Sequence, residues 1–243
     1  MSRAIIMAGW DDVPHLDDAE RKRLLEATPP HLRDARSRGI PSLGAGAIYP
    51  IALEDILCDP FTLPASWPMG YGMDVGWKAT AAVWGAWDRT TDIVYLWREY
   101  KRGQAEPAVH VSAIQAAGKG LCGAIDPASR GRSQTDGSQL LRSYQELGLN
   151  LVSAKNAVED GLFGVYQRFT TGRLKIFRPL VQTVAELRLY RRDEHGKVVK
   201  ENDHLMDAIR YLIATLETVM TWVVSPDESS GRGTRGEQAW MAS

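Results

Sequence analysis

One aspartate, Asp74, sits where a carboxylate is costly unless it is paired, hydrogen-bonded or bound to a cation, and three more, Asp126, Asp203 and Asp207, stand at a strand end and along the start of a helix. Asp74 interrupts the apolar stretch "GYGMDVG", and Gly76 just after it leaves room for another backbone or a ligand to come close. Asp126 ends the apolar run "LCGAID" and precedes Pro127. That puts it at the C-terminal edge of a buried strand, where ligands bind in open α/β sheets. Asp203 and Asp207 stand one turn apart in "NDHLMDAIRYL". Taken singly, each has an ordinary explanation: turn chemistry before proline for Asp126, a helix cap for Asp203, a satisfied polar group for Asp74. Taken together they converge on a different chemistry. Clustered carboxylates repel, and a hard divalent cation such as Mg²⁺ is their natural neutraliser. Two such ions about 4 Å apart activate a water and stabilise the leaving oxygen of a phosphodiester.

The elements that must hold these acids can be read from hydrophobic spacing. Leu205, Ile209, Leu212 and Leu216 recur at helical intervals, the face of a helix packed on a core, while Asp203, Asp207 and Arg210 form a stripe on the other side. "MGYGMDVG", "TAAVWGAWD" and "IVYLWREY" read as three strands with short connections, an antiparallel meander. Helical patterns over 106–118, 137–148 and 159–172 then alternate with short strands over 121–126, 149–154 and 173–177. A further helix and a hairpin around "RRDEHGKVV" precede the last helix. The expected fold is α/β: a mixed sheet, three antiparallel strands followed by alternating helices and strands, flanked by helices.

Composition bounds the setting. The 243 residues are 44% hydrophobic and 24% charged, ordinary for a globular chain. No run approaches a membrane span, and the first residues lack the pattern of a signal peptide. Cys58 and Cys122 have no metal-binding spacing and read as small apolar groups. Residues 1–66 are rich in charge and proline, with an amphipathic helical run in "LDDAERKRLLEA"; 67–224 has the pattern of a compact domain; 225–243 is a polar tail. The net charge of −1 gives no overall attraction for nucleic acid, but between Arg168 and Lys200 nine cations face three acids. That stretch is either a phosphate-binding surface or a solvated face of mixed charge.

The order "MDVGWKATAAVWGAWD", "GAIDPASRG", "NDHLMDAIRYL" resembles the C-terminal nuclease domain of terminase large subunits, the DNA-packaging motor proteins of tailed bacteriophages. "AKNAVEDGLFGVYQRFTTGRLKIF" and "AELRLYRRDEHGKVVKENDH" look like the same family, so the resemblance covers roughly residues 67–224. The first 66 residues resemble the end of the preceding ATPase region and its linker. The resemblance implies an RNase H-like fold and a metal-dependent endonuclease of little sequence specificity that cuts concatemeric viral DNA during packaging. It implies two divalent ions, Mg²⁺ or Mn²⁺, on the catalytic acids Asp74, Asp126 and Asp203. Asp207 is expected as an outer ligand, as a group orienting a metal-bound water, or as the partner of Arg210. His204 is expected to support the site rather than ligate. Lys78, Arg130, Lys155 and Lys200 are candidate phosphate contacts.

Implied partners are double-stranded DNA, the ATPase domain of the same protein, the phage portal and the terminase small subunit. The implied place is the cytoplasm of the infected bacterial host, at the procapsid portal, with no membrane. A P-loop is missing: "AAGKG" lacks the first glycine and the hydroxyl residue of GxxxxGK[ST], so no ATPase activity is expected of this chain, which reads as an excised nuclease portion. The competing readings are another RNase H-like enzyme of junction-resolvase or transposase type, and a non-catalytic DNA-gripping or portal-docking module. Trp84, Trp87 and Trp97 read as core or hinge packing, and His15, His31, His110 and His195 show no ligand spacing.

Overall fold

The computed structural model describes residues 9–28, 33–38, 46–118, 120–126, 136–155 and 157–220. Its strands are β1 (Leu57–Cys58), β2 (Met69–Asp74), β3 (Thr80–Asp88), β4 (Ile93–Arg102), β5 (Cys122–Ile125), β6 (Asn150–Ser153) and β7 (Leu174–Phe177). They form one sheet in the order β1-β7-β4-β3-β2-β5-β6. The predicted meander is β2-β3-β4, antiparallel throughout. The later strands join its two sides in parallel, β5 and β6 beside β2, β7 beside β4. The tip between β3 and β4 is tied down by Asp92, which accepts hydrogen bonds from the Trp87 indole, Arg168 and Arg173.

The helices are α1 (Asp18–Ala27), α2 (Arg33–Arg38), α3 (Leu53–Ile56), α4 (Pro107–Gln115), α5 (Asp136–Glu146), α6 (Val158–Thr170), α7 (Val181–Leu189), α8 (His204–Ala214) and α9 (Leu216–Val219). Strand alternation sorts side chains into two layers. Tyr71, Met73, Ala82 and Trp84 face one side, with Val111 and Ile114 of α4 and Tyr144 of α5. Ala81, Val83, Val94 and Leu96 face the other, with α6, α7 and α8. The same alternation puts Gly70, Gly72 and Asp74 on the α8 side. A Cβ at Gly72 would lie 1.9 Å from the Ala208 carbonyl oxygen, and one at Gly70 would lie 2.3 Å from Val219 Cγ1. Helices α8 and α9 therefore lie on backbone, and Asp74 is the next residue in that row, at the start of α8.

Several expectations change. The close approach assigned to Gly76 belongs to Gly72; a Cβ at Gly76 would meet only Ala79 O of its own loop, at 3.1 Å. The sheet gains an edge strand, β1, where no strand was read, because Leu57 and Cys58 pair in parallel with Ile176 and Phe177. Leu205, Ile209 and Leu212 are buried as their spacing required, but so is every residue from Leu205 to Leu212. Helix α8 thus has no solvated polar side; α6 and α7 cover the stripe that holds Asp207 and Arg210. Leu216 lies beyond a break at Thr215, in α9. The hairpin expected around "RRDEHGKVV" is present in short form: Arg192 bridges Val198, the Asp193 amide donates to the Lys197 carbonyl and the Val199 amide to the Arg191 carbonyl. Cys58 and Cys122 are half-buried thiols rather than fully buried ones. The tail from Ser225 and Arg130 lie outside the described residues.

Replacing Gly72 with alanine should lower unfolding stability by about 3 kcal/mol, the upper range for overpacking against a rigid neighbour. Urea denaturation checks this; an unchanged midpoint would show that α8 can lift off β2 without penalty.

Candidate metal centre

Strands β2 and β5 run in parallel with Met73 opposite Ile125, and the Asp126 amide donates to the Met73 carbonyl at 3.1 Å. Asp74 and Asp126 consequently emerge side by side at the C-terminal ends of neighbouring strands. Helix α8 brings its first turn to the same edge. His204 Nδ1 donates to Asp74 Oδ2 at 2.7 Å, and the Tyr211 hydroxyl, two turns on, donates to Asp126 Oδ1 at 2.8 Å. A single helix therefore holds an acid from each of two strands.

Asp203 occupies the N-cap position of α8, yet its side chain makes no capping hydrogen bond. Glu186 of α7 replaces it: Glu186 Oε2 accepts from the Leu205 amide at 2.7 Å, and its other oxygen pairs with Lys101 of β4 at 2.5 Å. Borrowing a cap from α7 releases the Asp203 carboxylate to the site, where Lys200 Nζ lies 3.1 Å away. The same ammonium lies 2.8 Å from Asp207 Oδ2. The other Asp207 oxygen accepts from Arg210 Nε and NH2 at 3.1 and 2.9 Å. Both Asp207 oxygens are thus held by cations of the chain, which favours the expected partnership with Arg210.

The electrostatics record a surplus of negative charge. Burial, together with the charges of Asp207 and Asp126, raises the Asp74 carboxyl above the usual aspartate range, against the hydrogen bond from His204. The hydrogen bond to Asp74 in turn raises His204, outweighing its partial burial. Burial alone would lower Lys200, but the carboxylates of Asp207 and Asp203 outweigh it and raise that ammonium. Among the described residues no three His, Cys, Asp or Glu side chains come close enough to enclose an ion. The cations that balance the acids here are the chain's own. The carboxylates gathered at the sheet edge are nevertheless the oxygen donors that hard divalent ions select. The residues fit such an ion.

The structure brings Asp74, Asp126, Asp203, Asp207 and Lys200 to one edge. Lys78 is exposed on the β2–β3 loop, four residues from Asp74. Lys155 leaves the sheet just beyond Ala154, whose amide donates to the Ile125 carbonyl beside Asp126, and with Arg168 it lines a groove against Ile213–Thr218. Among the described residues, five of the nine cations in the basic stretch are engaged by acids of the chain. Arg168 and Arg173 pair with Asp92, Arg178 with Asp59, Arg192 with Glu159, and Lys200 with the site acids. Sequence reasoning missed Glu186, Lys101 and Tyr211. A signal existed for Glu186, the lone acid between Arg168 and Arg192; nothing in the spacing marked the other two. His110 is structural: Nε2 donates to the Ala105 carbonyl and Nδ1 accepts from the Tyr100 hydroxyl.

A seven-stranded mixed sheet in which β2, β3 and β4 form a meander, with acids at the ends of two central strands and at the head of a crossing helix, is an RNase H-like domain. Residues 71–216 match the family model described as the terminase RNaseH-like domain, and the chain belongs to that family. It is 31% identical over 210 residues to the terminase large subunits of Enterobacteria phage LP7 and Salmonella phage P22. The match takes in 82% of this chain but only 44% and 42% of those relatives, so the chain spans less than half their length. The solved nuclease domain of the P22 large terminase superposes with a TM-score of 0.67 at 30% identity, over 71% of this chain and 93% of that one. Among the described residues, no helix is long and apolar enough to cross a membrane.

Glu186→Ala should cost about 3 kcal/mol, because it strands a partly buried Lys101 and an uncapped Leu205 amide. Glu186→Gln, which keeps an acceptor for that amide, should cost less. Equal losses in thermal or urea unfolding would show that the carboxylate charge, not the cap, is what matters.

Proposed function

We propose that this chain is a metal-dependent DNA endonuclease that cuts concatemeric viral DNA during genome packaging, with little sequence specificity. The observation that carries this reading is the convergence of Asp74, Asp126 and Asp203 at one sheet edge, in a chain of the terminase RNase H-like family. These three acids would hold the divalent cations, two Mg²⁺ or Mn²⁺ ions. Bound there, the ions supply an activated water and stabilise the leaving oxygen.

The remaining roles fall to the chain's own groups. His204 fixes one Asp74 oxygen and leaves the other to face the site. Tyr211 holds one oxygen of Asp126. Arg210 and Asp207 form a buried anchor that keeps Lys200 beside Asp203, so Asp207 orients a cation instead of binding metal directly. Lys200 neutralises Asp203 in the metal-free chain, and with a divalent ion held by Asp203 its ammonium would be available to a backbone phosphate. Lys78, on the same edge, is a second phosphate contact, and Arg130 is retained as a third on the resemblance alone. Lys155, in the groove against Ile213–Thr218, is assigned to DNA only if the duplex runs along α6 and α8.

The whole motor is proposed on the relatives: the ATPase domain of the same protein, the portal and the terminase small subunit as partners, working on double-stranded DNA in the infected host's cytoplasm. Supercoiled-plasmid cleavage with Mg²⁺ or Mn²⁺ tests the enzymatic part. Asp74→Ala should lower the rate on the order of 100-fold or more, since metal assistance is worth several kcal/mol and each ~1.4 kcal/mol is tenfold. Mn²⁺ should also raise the melting temperature of the wild type and leave that of the variant unmoved. A wild type that does not cut, or a variant that cuts equally well, rejects the reading.

A further inference from the structure

The β2–β3 loop carries a feature that the acids do not use. Trp77 is 66% exposed, whereas Trp84 and Trp87 are buried in the sheet. An indole so placed forgoes the burial that normally stabilises tryptophan. It lies three residues beyond Asp74, on the loop that leaves the C-terminal end of β2, the edge at which Asp74 and Asp126 emerge.

The loop is held firmly. The Gln104 amide donates to the Trp77 carbonyl at 2.9 Å, and the Thr80 hydroxyl donates to the Gly76 carbonyl at 3.2 Å. Gln104 makes its bond from a left-handed backbone, φ 51°, a conformation that a non-glycine residue adopts at a cost. Gly103 approaches so closely that a Cβ there would lie 2.1 Å from the Lys78 carbonyl oxygen. Backbone strain and close approach are thus spent on fixing a loop whose largest side chain stays in solvent. Two exposed cations adjoin it, Lys78 in the loop itself and Arg102, the β4 partner of Thr80. A rigid aromatic face flanked by cations is the chemistry that stacks on a nucleobase while neighbouring phosphates are neutralised.

We propose that Trp77 is a nucleobase-stacking residue, which packs against a base unstacked from the duplex next to the phosphate at Asp74, with Lys78 and Arg102 on the flanking phosphates. The inference rests on the endonuclease reading. An indole wedge in a duplex unstacks a base step and bends the DNA, which brings the scissile phosphate to a recessed carboxylate. Trp77 is a positioning residue: it touches substrate but no reacting atom.

The test uses the full chain carrying Asp74→Asn, which binds without cutting, and a short duplex containing 2-aminopurine. Binding should raise the 2-aminopurine emission, the sign of unstacking. Adding Trp77→Ala should abolish that rise and weaken the dissociation constant about tenfold, while Trp77→Phe should keep most of both. Melting temperatures should match, because the indole is exposed. Unchanged emission and affinity in the Trp77→Ala protein overturn the proposal, and then the indole serves a protein contact. Plasmid cutting by the wild type separates the two readings. Cutting with no Trp77 dependence sinks only the stacking role. Trp77-dependent emission without cutting sinks only the nuclease, and a wild type that neither cuts nor binds sinks both.

Discussion

Where the Ala208 carbonyl crosses Gly72, helix α8 lies closer to the sheet than any side chain on β2 would permit. That contact fixes the height and the direction of the helix. Leu205, Ile209 and Leu212, all fully buried, contribute about 2 kcal/mol each to holding it there. With α8 at that height, His204 reaches Asp74 and Tyr211 reaches Asp126. The row Gly70, Gly72, Asp74 thus has a single logic: two residues without side chains admit the helix, and the third meets its first turn.

Seating the helix so deeply buries its polar residues, and the charge arrangement follows from that. Asp203, Asp207 and Arg210 are all buried, and none is affordable alone. Asp207 and Arg210 neutralise each other, Lys200 reaches in from solvent to Asp203 and Asp207, and Glu186 with Lys101 takes over the capping of α8. The cap is the consequential element. A carboxylate at an N-cap ordinarily spends its oxygen on backbone amides; the Glu186 cap leaves Asp203 to pair with Lys200, which also holds Asp207. In the proposed reading, the solvent-exposed ammonium of Lys200 can give way to a divalent ion, whereas the buried Arg210 guanidinium stays paired with Asp207.

Much of this was legible in sequence. The meander, the helix–strand alternation and the apolar face of α8 follow from periodicities that packing reinforces. The acids Asp74 and Asp126 were conspicuous because they break apolar runs. What could not be read depends on contacts remote in the chain. Glu186 lies 19 positions from the amide that it caps and 85 from its ammonium partner. Tyr211 lies 85 positions from the carboxylate its hydroxyl meets. The strand β1 has too few residues to leave a periodic trace, and pairs only because β7 offers it an edge. Local counting in the basic stretch could not show which cations are engaged: Asp59, Asp92 and Glu159, from other segments, pair with Arg178, with Arg168 and Arg173, and with Arg192.

The central claim is that Asp74, Asp126 and Asp203 together bind divalent metal. A crystal structure grown with Mn²⁺, with the ion located by its anomalous scattering, tests it most directly. The account predicts manganese on oxygens of all three acids, with the Lys200 ammonium moved off Asp203 and the Asp207–Arg210 pair intact. Manganese bound elsewhere, or Lys200 still seated between Asp203 and Asp207 at saturating Mn²⁺, would contradict it.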